Sequence, residues 1–303
     1  MNALRIGVIG IPGKWSTEVL ADALESRTGF RLVVSMHDVC ANLTTGKLMA
    51  NGTNLCELDG LIVKKISQQY SPATLDRIEL LRLAEHAGVR VFSRTETIIR
   101  MIDRLGCTMT LRNGGIPMPK TVVTENRSEA IQAIEDFGCA VMKPLYSTKA
   151  RGMELVNAAS QAGMGSLASE SVGEVVDRFR AENPMMYIQQ KIDLPGRDLG
   201  MVFLGGEYLG TYARVNQGEA WNTTIQSGGR YAAHTPPQST IDLANRAQSL
   251  FGMDFTTVDV ADTENGPIVF EVSAFGGFRG VKEGMEIDAA TLYADYVLKE
   301  VAK

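Results

Sequence analysis

Residues 255–274 read FTTVDVADTENGPIVFEVSA. Two runs rich in β-branched and aromatic residues flank Asn265-Gly266-Pro267, a turn signal, so the stretch predicts two antiparallel strands. Each run carries an acid in an apolar setting: Asp259 lies between Val258 and Val260, and Glu271 between Phe270 and Val272. A short hairpin brings these carboxylates onto neighbouring strands. Burying an isolated carboxylate is costly, so inward-facing acids require counter-charges, and hard oxygen ligands at close range suit Mg²⁺ with nucleotide phosphates. Both acids pointing to solvent from an open sheet face fits the spacing equally well.

Upstream, strand signals at 199–204 and 208–215 and helix signals at 240–250 and 288–301 give the last third an α+β character. Before it come a strand at 121–124, a helix at 128–137, a strand at 139–144, a short strand at 153–156, a helix at 170–180 and a strand at 186–192. Residues 157–166 are small and polar and read as a loop. Lys143 ends the apolar run Ala140-Val141-Met142, and Ser147-Thr148-Lys149-Ala150-Arg151-Gly152 follows. Cations and backbone N–H groups in such a loop suit phosphate oxygens. Taken alone, a solvated turn explains the same residues.

The first hundred residues alternate: strands at 5–11, 31–36, 61–66 and 89–92, helices at 17–27 and 71–88, the latter with Ser71 as N-cap and Pro72 at the first helical position. This predicts a parallel sheet covered by helices. A helix over 95–113 ends at Gly114-Gly115-Ile116-Pro117. Gly7, Gly10 and Gly13 match neither G-x-G-x-x-G nor a P-loop, since Trp15 follows Lys14. A tight strand-to-helix turn with Ser16 capping the helix explains them. The resulting division is 1–95, 96–185 and 186–303.

The 303 residues are 45% hydrophobic and 21% charged, a composition of folded globular chains. Thirty Lys and Arg against thirty-five Asp and Glu leave a net charge of −5, which argues against a nucleic-acid partner. Cys40, Cys56, Cys107 and Cys139 form no C-x-x-C pair, and His37, His86 and His234 have no zinc-ligand spacing. Apolar runs fall short of the roughly 18 residues of a spanning helix, and 5–11 lacks the features of a signal peptide. A cytoplasmic location without a membrane partner is expected, and an assembly of identical chains is compatible with it.

The order of these pieces resembles the ATP-grasp ligases, nearest the RimK-like glutamate-ligase branch. The likeness rests on Asp103-Arg104 ahead of the Gly-Ile-Pro turn, Lys143-Pro144 with its loop, the Gln-rich strand before Asp198, and the final Glu271-Val272-Ser273-Ala274. It covers essentially the whole chain and implies an N-terminal βαβ pre-ATP-grasp domain followed by a two-subdomain ATP-grasp fold. It also implies ATP with Mg²⁺, or Mn²⁺ in its place. By the same likeness Arg104, Lys143 and Lys149 would face phosphates, and Gln189, Gln190, Lys191 and Ile192 would form the adenine hinge. Asp198 would lie by the ribose, Arg214 by the acyl substrate, and Asp259, Glu271 and Ser273 would hold the metal. The implied activity is an ATP-dependent carboxylate–amine ligase, adding an amino acid such as glutamate to a small molecule or peptide through an acyl phosphate.

The chain departs from that pattern in several places. Arg104 replaces a lysine, Gln190 stands where the family often has Glu, and Ser273 replaces Asn. The 147–152 loop is poor in glycine, Phe275-Gly276-Gly277 replaces a proline-glycine turn, and Trp221-Asn222-Thr223-Thr224 lacks the Arg-x-Asn arrangement. A nicotinamide oxidoreductase built on the N-terminal unit lacks its fingerprint. A degenerate ATP-grasp protein that binds nucleotide to regulate a partner is the stronger rival.

Overall fold

The computed structural model describes residues 3–148, 150–161, 170–216, 223, 225 and 228–303. The N-terminal part runs β1 (Ile6–Ile9), α1 (Trp15–Thr28), β2 (Val33–Val34), β3 (Cys40–Asn42), β4 (Lys47–Ala50), β5 (Thr53–Asn54), β6 (Gly60–Val63), α2 (Pro72–His86) and β7 (Arg90–Phe92). As the alternation predicts, β1, β2, β6 and β7 form a parallel sheet in the order β2-β1-β6-β7. The antiparallel meander β3-β4-β5 is an addition, its strands too short and polar for periodicity to reveal. Ser16 is not the cap expected of it. Lys14 occupies the N-cap, and the turn is held by Thr17, whose hydroxyl accepts from the Ile11 N–H, and by Glu18, which accepts from the Gly13 N–H at 2.6 Å.

The single helix expected over 95–113 is two, α3 (Thr95–Ile102) and α4 (Arg104–Asn113). Asp103 breaks it: its backbone is extended and its carboxylate accepts from the Gly106 N–H at 2.5 Å, which suits an N-cap better than a helix interior. The middle unit follows: β8 (Thr121–Thr124), α5 (Arg127–Phe137), β9 (Cys139–Lys143), β10 (Glu154–Asn157), α6 (Val172–Glu182) and β11 (Met186–Gln190), an antiparallel sheet in the order β10-β9-β11-β8. Because β11 pairs with both β8 and β9, this sheet runs through Gln190, and a division at 185/186 would cut it. Its helices α5 and α6 close a separate small core around Ile134, Met142, Val176 and Ile188.

The last unit contains β12 (Arg197–Leu204), β13 (Glu207–Val215), β14 (Arg230–Ala233), α7 (Gln238–Ser249), β15 (Phe255–Thr263), β16 (Gly266–Val272), α8 (Phe278–Met285) and α9 (Ala289–Val301). Five antiparallel strands lie in the order β14-β13-β12-β15-β16. One face packs on α7 in a core that continues into the N-terminal sheet, joining Leu199, Met201 and Val258 to Leu61 and Leu81. The C-terminal helix α9 returns to α1, where Tyr293, Ala294 and Val297 meet Leu20 and Leu24. The first and last units thus share two cores, and the middle sheet has its own.

Helix α8, missed in the sequence because its glycines weaken any helix signal, fits the sheet through those glycines. A Cβ on Gly280 would come 2.5 Å from the Tyr212 ring, and one on Gly200, opposite Tyr212 on β12, would come 2.3 Å from it. Gly280→Ala is therefore expected to destabilise by about 1–3 kcal/mol through overpacking, although alanine is the better helix former by about 1 kcal/mol. Urea unfolding of the two proteins measures the difference.

Candidate functional site

Strand alternation puts Asp259 on the face of β15 opposite the apolar Val258 and Val260. What stands across from it is set by a β-bulge. Counting from Thr263↔Gly266 places Phe270 opposite Asp259, but the register shifts between Asp259 and Val260, and Glu271 takes that position. A second bulge works the same way. Counting from Leu204↔Glu207 places Ala213 opposite Asp198, and the shift at Val202/Phe203 brings Arg214 there. A one-residue slip exchanges the faces of a strand, so these two bulges gather Asp198, Arg214, Asp259 and Glu271 on one side of the sheet.

The guanidinium of Arg214 joins the row. Its Nε donates to both Asp198 oxygens at 3.1 Å, its Nη2 donates to Asp198 Oδ2, and the same Nη2 lies 3.1 Å from Asp259 Oδ1. Thr223 Oγ1 also donates to Asp198, at 2.6 Å. Asp198 is only 6% exposed and both its oxygens are taken inside the sheet, so it supports Arg214 instead of offering a free carboxylate to a ribose. Burial opposes the charge on Arg214, yet Asp259 and Asp198 hold its pKa well above the usual value. Burial also pushes the Asp259 carboxyl up to about 7, with Arg214 opposing and Glu271 and Asp198 adding to the shift.

From the facing side come Arg104, the first residue of α4, and Lys143, the last of β9. Arg104 Nη1 donates to Glu271 at 3.0 Å. Lys143 Nζ donates to Gln189 Oε1 at 2.5 Å and lies 5.7 Å from the Phe270 ring. Burial, with Arg104 adding and Glu271 opposing, brings the Lys143 pKa down to about 7. Gln189 is 2% exposed and looks inward: its amide also donates to Thr121 and to Tyr187, and the Tyr187 hydroxyl meets Thr108 at 3.0 Å. Tyr187 and Thr108 were not singled out in the sequence. The period-two spacing of Tyr187 and Gln189 is the signal that points to them, and the Tyr187 ring also lies 5.9 Å from the Arg104 guanidinium.

In the hinge segment, the Gln190 N–H donates to Lys120 O at 2.8 Å and the Lys191 N–H to Cys139 O at 2.9 Å. Both amides close the sheet, while the Lys191 amine pairs with Asp193. The Ile192 N–H, past the strand end, has no partner among the described residues. Arg151 is exposed and donates to Gln68 O at 3.4 Å. Lys149, Trp221, Asn222 and Thr224 lie outside the described residues.

The donor set fits a hard cation. Asp259 Oδ1 is buried and meets Arg214 Nη2 in an ion pair that falls short of hydrogen-bond geometry, Glu271 faces Asp259 across the hairpin, and Ser273 follows two residues on. No group of three or more His, Cys, Asp or Glu is assembled among the described residues. A pair of carboxylates suits Mg²⁺, which keeps waters and takes further oxygens from substrate phosphates. The cation would compete with the two ion pairs that Arg104 and Arg214 make with these acids.

Comparison with known proteins gives the family and the fold. The model of the RimK-like ATP-grasp domain matches residues 101–297. Over 97% of its length the chain is 24% identical to 98% of the tetrahydromethanopterin:alpha-L-glutamate ligase of Methanosarcina acetivorans. The fold is that of the ATP-grasp ligase PsnB, solved with a minimal precursor, Mg and ADP, with a TM-score of 0.72 at 17% identity over 99% of each chain. A RimK domain ATP-grasp protein from Sphaerobacter thermophilus superposes with a TM-score of 0.73 at 20% identity, over 96% of this chain and 98% of that one. No helix among the described residues is long and apolar enough to cross a membrane.

Removing Arg214 leaves two buried carboxylates without their cation. Arg214→Met is expected to cost about 3–5 kcal/mol at pH 7, and Asp198→Asn much less, because Arg214 keeps Asp259. Urea unfolding checks the order, and the Arg214→Met deficit should narrow as pH falls and the carboxyls protonate.

Proposed function

The chain belongs to the RimK-like ATP-grasp family, and from that premise we propose that it is an ATP-dependent ligase that joins a carboxylate to an amine, forming ADP and phosphate. The observation that carries this reading is the meeting of Asp259 and Glu271, paired across β15 and β16, with Arg104 from the start of α4 and Lys143 from the middle sheet. Phosphoryl transfer needs in-line positioning and charge neutralisation, and no protein nucleophile. The cations would hold phosphate oxygens, and Asp259, Glu271 and Ser273 would hold Mg²⁺, which when bound neutralises charge on the phosphates. The Ile192 amide would receive the adenine edge.

The carboxylate of the acid substrate attacks the γ-phosphorus, the bond to ADP breaks, and an acyl phosphate forms. The amine nitrogen then attacks the acyl carbon, the C–O bond to phosphate breaks, and the amine loses a proton. In this reading Arg104 and Lys143 would oppose the negative charge that accumulates in the first step. The glutamate ligase activity in the name of the Methanosarcina relative supports an amino acid as the amine, and the precursor peptide bound to PsnB in another of its structures supports a peptide as the acid. ADP release measured across pooled amino acids, peptides and small acids tests the reaction and finds the pair together.

A second reading has one observation in its favour: both candidate metal acids are ion-paired with arginines. A protein that binds nucleotide for regulation would gain thermal stability with ATP and release no ADP with any acceptor.

Two outcomes follow from the ligase reading. Glu271→Gln should stay folded and lose turnover on the order of 100-fold; turnover equal to wild type removes Glu271 from the metal site. At pH 8 the Lys143 amine, brought down to about 7 by burial, is mostly neutral. Phosphate contact favours its charged form, so ATP binding should take up about one proton. The calorimetric enthalpy should then depend on the ionisation enthalpy of the buffer, and Lys143→Met should lose that dependence.

A further inference from the structure

Lys64 follows β6, is 6% exposed, and no acid pairs with it among the described residues. Its Nζ donates to the carbonyl of Gly276 at 2.6 Å and stands 4.0 Å from the centre of the Phe278 ring. A cavity of about 10 Å³ adjoins it, bounded by Ser93, Ala274 and Tyr293. Burial, with Lys65 adding to it, brings the amine down to about 7. Burying an amine without a counter-charge is expensive, and a methionine of similar length would fill the same space without that cost. A group kept at such a cost is informative through what it touches.

It touches the loop that ends the acid-bearing hairpin. Glu271 is the penultimate residue of β16, Val272 ends the strand, Ser273 follows, and 274–277 leads into α8. From its own sheet the loop is tied at Ser273, whose N–H donates to Thr257 O at 2.9 Å and whose carbonyl accepts from Thr256 Oγ1 at 2.7 Å. From the N-terminal unit it is tied by Lys64 at Gly276 and by Tyr70, which meets Phe275 edge-on at 6.4 Å. Gly276 has no room to move toward the sheet: a Cβ there would come 2.6 Å from the Phe255 ring.

We infer that Lys64 is a positioning residue that fixes the loop after β16 from the N-terminal unit and so sets where Ser273 and Glu271 present their oxygens to a divalent cation. The inference rests on the ATP reading above and adds a residue of the N-terminal sheet to it. A merely structural Lys64 would be replaceable by methionine with no loss of metal binding.

The test compares ATP affinity with Mg²⁺ and with EDTA, by calorimetry, in wild type, Lys64→Met and Gly276→Ala, with urea unfolding alongside. The expected result is a folded Lys64→Met protein, at least as stable as wild type at pH 7. Its gain in ATP affinity from Mg²⁺ should be about tenfold smaller, with affinity in EDTA unchanged. Gly276→Ala, which displaces the same carbonyl by crowding Phe255, should lose the gain too and decides the matter where Lys64→Met does not fold. Metal-dependent binding in wild type that survives in a folded variant overturns the role of Lys64 alone. Wild type without metal-dependent ATP binding overturns the ATP reading and this inference with it.

Discussion

Everything at the site depends on the guanidinium of Arg214 lying between Asp198 and Asp259. Three charges in a sheet interior are tolerable only when each is matched, and here one cation serves two carboxylates through its Nε and Nη2. The match requires Asp198 and Arg214 to be register partners and Asp259 to lie next to them across Gly200, which has no side chain to intervene. The first condition holds because of a bulge near the end of the β12–β13 hairpin, the second because β12 and β15 pair without a shift, and the β15–β16 bulge extends the row to Glu271. Asp259 Oδ1 meets Arg214 in an ion pair without hydrogen-bond geometry, so the row of three carboxylates and one guanidinium keeps an excess of negative charge and is incomplete in coordination.

The rest of the molecule brings opposite charge to that row. The break at Asp103 starts α4 at Arg104, which reaches Glu271, and the end of β9 delivers Lys143 beside the bulged Phe270. Under Lys143 a chain of hydrogen bonds through Gln189, Tyr187 and Thr108 ties the middle sheet to α4. The middle sheet has its own core, whereas the first and last units share theirs. Lys143 and the acids therefore belong to differently packed bodies, and Arg104, at the start of a helix whose Cys107 and Leu111 lie in the core shared with the acid-bearing sheet, stands at the joint.

The strands, the acids within them and the lysine at a strand end were legible because period-two patterning and turn chemistry are local properties. The α/β and α+β character followed from the same signals. The break at Asp103 could have been read from its N-cap preference, but the apolar residues on both sides continue one helical stripe. The bulges were beyond reach: hairpin counting from Gly205-Gly206 or Glu264-Asn265 gives Ala213 and Phe270 as partners, and only packing shifts the register by one. The inward turn of Asp198 and Gln189 and the use of the Gln190 and Lys191 amides within the sheet are likewise tertiary facts. Lys64 gave no signal, since a lysine after an apolar strand ordinarily faces water.

The most direct measurement follows oxygen. Acid substrate labelled with ¹⁸O in its carboxylate, turned over with ATP, Mg²⁺ and the amine, should give inorganic phosphate carrying one labelled oxygen, because an acyl phosphate passes its bridging carboxylate oxygen to the departing phosphate. Product formed with unlabelled phosphate would contradict carboxylate phosphorylation at the charged row of Arg104, Lys143, Asp259 and Glu271.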